Sequence, residues 1–64
     1  MRVITRTELA HLSKRELAAL YAWVSEEMLR TRYESPEWVN GLITLENILG
    51  ELAARNTGPR PPGP

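Results

Sequence analysis

The stretch SPEWVNGLITLENILGELAAR, residues 35–55, decides how the rest of this chain is read. Ser35 suits an N-cap, because its side-chain oxygen can take one of the free amides of a first helical turn. Pro36 suits the first helical position, where its missing N–H is no loss. Glu37 places negative charge where the helix dipole favours it. Arg55 comes at the far end, and Asn56, Thr57, Gly58 and Pro59 read as a stop. The pattern predicts a helix over residues 36–55.

Placed at about 100° per residue, Gly41, Leu45, Ile48 and Leu52 share one face. Trp38, Leu42, Leu49 and Ala53 fall on the next, with Val39, Ile43 and Gly50 beyond them. Together they span roughly 220°, twice the stripe of about 100° that a surface helix ordinarily shows. One neighbouring helix cannot cover that arc. Another part of the chain, or a second molecule, has to pack on it.

Composition narrows the function classes. Sixty-four residues suit one small domain near the lower limit for a single core. Basic and acidic residues number 8 each and cancel, which argues against nucleic-acid binding by bulk electrostatics. There is no cysteine, hence no disulfide and no thiolate metal site. No apolar run reaches the ~18 residues of a membrane span, and residues 1–5 lack the apolar core of a signal peptide. The expected location is therefore the cytoplasm, without a membrane.

Upstream, Val3 and Ile4 are too short a pair to decide between a strand and packing beneath a helix. Thr5 followed by Glu8 makes a capping box ahead of Leu9 and Leu12, predicting a short helix over 6–12. Ser13 and Glu16 repeat the device and start a second helix running to about Arg32. Leu17, Leu20, Tyr21, Val24, Met28 and Thr31 form its core face. Ala18, Ala22 and Leu29 make a smaller stripe of the kind that lets another backbone come close. Trp23 projects beside Ala19, Glu26 and Arg30, the last two in i,i+4 order. Tyr33, Glu34 and Ser35 leave only a short link before Pro36, so the long helices should pair as an antiparallel hairpin. Residues 57–64 are rich in Pro and Gly and read as a disordered or polyproline-like tail. Pro59 and Pro62 there have the PxxP spacing of an SH3 ligand, against the commoner reading of an unstructured end.

Catalytic chemistry finds little footing. His11 is the sole histidine, and its neighbours Glu8 and Ser13 belong to one turn rather than converging from separate elements. No metal ligand set is present: Glu8 and His11 make a single Glu-x-x-His spacing, where a di-iron bundle needs one on each of two helices. Lys14 and Arg15 could open the second helix of a helix-turn-helix. The face behind them continues with Ala18, Ala19, Ala22, Trp23, Glu26 and Glu27, which suits phosphate poorly. What remains is the surplus apolar face of the last helix. Trp38 is the residue type of a hot-spot anchor, with Val39, Leu42, Ile43 and Leu49 as its surround. Gly41 and Gly50 each cost about 1 kcal/mol against Ala inside a helix, a cost that makes sense where another surface approaches closely. Tyr33, Glu34, Glu46 and Asn47 could form a polar rim.

The segments LSKREL, S-P-E and L-x-x-L-E-N-I, within residues 5–55, resemble short all-helical proteins of unknown function from proteobacterial genomes and mobile elements. The resemblance carries no active site. It implies charged or small residues where this chain has Trp38, Val39, Ile43, Leu49 and Gly50, and so a helical scaffold engineered to present a binding patch, for instance to an enzyme to be inhibited. A natural dimer interface would leave the same trace.

The expectation is an all-α protein with one domain over residues 1–56 and a flexible tail over 57–64. It is expected to be a non-enzyme, without cofactor or metal, that binds another protein through the outer face of its last helix. The alternatives are a self-associating structural homodimer, which would bury the surplus face in a four-helix bundle, and a helix-turn-helix-like DNA-binding accessory protein. A third way to bury the face is internal, with Trp38 and Leu49 turned to the first long helix and Val3, Ile4, Leu9 and Leu12 covering the remainder.

Overall fold

The computed structural model describes residues 2–56. The expected tail of residues 57–64, with its Pro59 and Pro62, lies outside the described residues. Three helices and no strand occur among them: α1 (Arg6–Leu9), α2 (Lys14–Arg30) and α3 (Pro36–Asn56). Both α1 and α2 pack on α3.

Each helix begins where a short polar side chain offers an acceptor. At α2, Ser13 Oγ accepts from the Glu16 amide at 3.1 Å, and the Ser13 amide donates back to Glu16 Oε1 at 2.9 Å. The same box at α1 is looser: the Thr5 and Glu8 contacts are 3.4 and 3.5 Å. The reason is a competitor. The Arg2 guanidinium donates to both carboxylate oxygens of Glu8, at 2.9 and 2.6 Å. That contact, with help from Thr5, lowers the Glu8 carboxyl to a pKa of about 2. Glu16 is lowered too, chiefly by the Ser13 amide. At α3, Ser35 Oγ accepts from the Trp38 amide at 3.1 Å, with Pro36 in the first turn.

Two helix ends differ from the sequence expectation. α1 stops at Leu9 rather than continuing to residue 12. Residues 10–12 tighten into bonds from His11 N to Glu8 O and from Leu12 N to Leu9 O, because Ser13 must turn extended (φ −73°, ψ 166°) to cap α2. α2 stops at Arg30 rather than Arg32. Thr31 is extended, and its hydroxyl donates to the Glu27 carbonyl at 2.7 Å. Glu34 then takes a left-handed φ of 63°, and the Ser35 amide closes the turn on the Arg32 carbonyl.

The core is small. Leu9, Leu17 and Ile48 have no exposed surface, and Ile4, Leu12, Leu20, Tyr21, Leu45 and Leu52 pack around them. Val24 is also fully buried. Full burial of such a side chain contributes about 1.5–3 kcal/mol. A chain of this size has few of them, so its polar ties carry unusual weight. The undecided Val3–Ile4 segment is settled by those ties: it forms neither strand nor helix. Ile4 packs at the core, and its peptide is held from both sides by α3. Thr44 Oγ1 accepts from the Ile4 amide at 3.2 Å and donates to the Asn40 carbonyl at 2.9 Å. Asn47 Nδ2 donates to the Ile4 carbonyl at 2.9 Å. Thr44 is fully buried and has both its donor and acceptor roles filled.

Candidate functional site

Further along the same side of α3, Glu51 accepts from Arg55 Nε at 3.0 Å and from Arg6 Nε at 3.4 Å. Arg55 Nη2 reaches the Leu9 and Ala10 carbonyls, both at 3.3 Å. Those carbonyls end α1, where a cation offsets the helix dipole as well as filling free acceptors. Thr44, Asn47, Glu51 and Arg55 therefore form one stripe, spaced at three and four residues, that binds the N-terminal segment. Asn47 belongs to this internal stripe rather than to a polar rim.

The sequence-derived site residues divide into three groups. Gly41 is buried, on the core face with Leu45 and Ile48, so it sits inside rather than on the outer face. Gly50 leaves space for this chain's own N-terminus: a Cβ there would come within 2.6 Å of Arg6 Nη1. Trp38 is half-buried, with its ring edge-on to Tyr33 at a centroid distance of 4.8 Å and an angle of 64°. Tyr33 itself is 70% exposed. The structure thus brings Trp38 and Tyr33 together at the α2–α3 link, beside exposed Glu34.

Val39, Leu42 and Ile43 keep 37–40% of their surface exposed and Leu49 keeps 52%. They lie along the outward side of α3 with exposed Glu46 and Ala53 among them. Ile4, Leu9 and Leu12 join the core, yet the described residues leave this side partly exposed. Glu46 takes part in none of the ion pairs found among the described residues.

The expected stripe of Ala18, Ala22 and Leu29 on α2 is exposed throughout, with Leu29 at 87%. Trp23 is 52% exposed. Arg30 pairs with Glu27 at 3.5 Å rather than with Glu26. His11, Lys14 and Arg15 are all exposed. The described residues form no pocket and no cluster of potential metal ligands, and no described helix is long and apolar enough to cross a membrane.

No known protein family, no curated protein and no solved structure matches this chain.

Proposed function

We propose that this chain is a protein-binding module whose contact surface is the outward side of α3. The observation that supports it most is the row Val39, Leu42, Ile43 and Leu49, held in an exposed line on a helix whose other sides are packed or hydrogen-bonded. Val39, Leu42 and Ile43 are the i, i+3 and i+4 positions that a helix offers when it lies in a partner's groove, with Leu49 further along. Exposed apolar side chains gathered along one side of a small chain mark such a contact. Trp38 and Tyr33 flank one end of the row and would add aromatic contact area. The α2–α3 pairing behind it is inferred to be an antiparallel hairpin, since Leu17 near the start of α2 packs with Ile48 and Leu52 near the end of α3. The scaffold-like origin implied by the resemblance rests on this same patch.

Affinity capture with the wild-type chain and with a Leu42→Asp, Leu49→Asp double variant tests the proposal. Both positions are exposed, so the helical circular-dichroism spectrum should be unchanged. Partners held by the wild type should be lost with the double variant and kept with a control Leu29→Asp change on α2. The same partners on all three chains would refute a contact through this side of α3.

A further inference from the structure

The exposed row has a heptad register. Val39, Leu42, Glu46, Leu49 and Ala53 follow the alternating three- and four-residue steps of a coiled-coil seam, with Glu46 at its centre. The only charge on the seam thus sits amid its leucines, where any helix packed along the seam would take the carboxylate out of water. α3 has no cation of its own to meet it. Its sole basic residue, Arg55, is engaged by Glu51 and by the α1 carbonyls.

This arrangement discriminates between occupants. A second copy packed in parallel register sets Glu46 against its own equivalent. A second copy packed antiparallel, with first-position residues facing fourth-position ones, sets Glu46 against Leu42 or Leu49. Neither supplies a counter-charge, and a carboxylate buried without one is strongly unfavourable. A partner helix carrying Lys or Arg among apolar residues supplies both the apolar seam and the missing charge. One polar seam position is known to fix which helices pair and in what register.

Resting on the proposed binding function of this face, we infer that the partner of α3 is a different helix, apolar along its seam and carrying a central basic residue, and that Glu46 both selects it and keeps this chain from pairing with itself. Five chains test this: the wild type, Glu46→Leu, Glu46→Lys for a parallel pair, and Leu42→Lys and Leu49→Lys for an antiparallel one, in which the lysine meets the other copy's Glu46. Masses are read by native mass spectrometry and light scattering, with one chain isotopically labelled in mixtures.

The wild type and Glu46→Lys should each be monomeric at concentrations where their equimolar mixture forms heterodimers at least about tenfold more tightly. That preference should shrink as salt is added. Glu46→Leu, with a continuous seam, should homodimerise. A Glu46→Leu dimer overturns the charge rule and leaves the binding face standing when neither the mixture with Glu46→Lys nor Leu42→Lys or Leu49→Lys alone pairs more tightly than the wild type. A wild-type homodimer as tight as the mixed pair does the same. A Glu46→Leu chain that stays monomeric at millimolar concentration overturns the claim that Glu46 prevents self-pairing, and the capture comparison of the Leu42→Asp, Leu49→Asp chain with Leu29→Asp then decides the binding face itself.

Discussion

Two sides of α3 run parallel for most of its length and behave in opposite ways. Thr44, Asn47, Glu51 and Arg55 look like a solvated face in sequence, yet each is hydrogen-bonded to residues outside its own helix or to a neighbour that is. Val39, Leu42, Ile43 and Leu49 are as apolar as the core residues, yet they face outward. The difference is set by what residues 2–10 present. That segment has only four helical residues, so most of its amides and carbonyls lack partners within it. A side of α3 able to donate and accept covers it better than an apolar side. The apolar row is left over because the segment needed polar company.

The comparison is most directly broken at Thr44. Thr44→Val keeps the shape and removes the acceptor for the Ile4 amide, leaving a partly buried donor unpaired. The expected loss is about 1–3 kcal/mol, read from urea unfolding. An unchanged midpoint would mean that the N-terminal segment is held by packing alone. Gly50→Ala comes next and has the opposite sign. Helix propensity favours Ala by up to about 1 kcal/mol, and the new methyl meets only the mobile end of Arg6. Displacing that end loosens an already long ion pair, 3.4 Å, between half-exposed Arg6 and Glu51, which keeps its 3.0 Å bond to Arg55. A small rise in melting temperature is expected; a fall would show that Arg6 is fixed more firmly to α3 than a solvent-exposed arginine normally is.

Leu49→Gln, on the apolar row, should move stability by less than about 0.5 kcal/mol, as ordinary surface substitutions do. A larger loss would place Leu49 in the core and erase the contrast between the two sides. Acid gives the smallest effect. Glu8 is held at about 2 by Arg2, below the ordinary value of about 4.3. Its contribution is complete above that ordinary value and is lost as the pH falls through about 2. Because the pair is solvent-exposed, salt should weaken it and carry the Glu8 titration upward. Glu16, held by a backbone amide, should respond less. A site-resolved NMR titration at low and high salt separates the two, and equal salt responses would contradict the assignment.

The helix starts were legible because capping is local. Thr5 with Glu8, Ser13 with Glu16, and Ser35 before Pro36 state their roles within four residues. The helical period also put Gly41, Leu45, Ile48 and Leu52 on one face of α3, but only the fold made that face the core and took Gly41 out of the binding surface. The helix ends were less legible: Thr31 ends α2 through its extended backbone and a hydroxyl bond to Glu27, and nothing in the residue type demanded that. The polar stripe was missed altogether. Thr44 and Arg55 find partners about 40 residues or more away, and a polar side chain in a helix has the same appearance whether it meets water or a distant carbonyl. The glycines show the same limit. Each signalled that something comes close, but Gly50 makes room for Arg6 of this chain, which sequence could not distinguish from a visitor. The outward row stood out on the helical wheel. Its exposure depended on where the N-terminal segment settled, which no local pattern encodes.

The contact between Arg55 and the Leu9 and Ala10 carbonyls also sets an order of events. A helix of four residues does not persist alone in water, so α1 has to wait for α3 to hold it. During synthesis, Leu9 is made 46 residues before Arg55, an interval of several seconds at about 5–20 residues per second. Through that time Ile4 and Leu9 have no Thr44, Asn47 or Arg55 to join. Residues 2–10 are therefore the first of the described chain to emerge and among the last to fold.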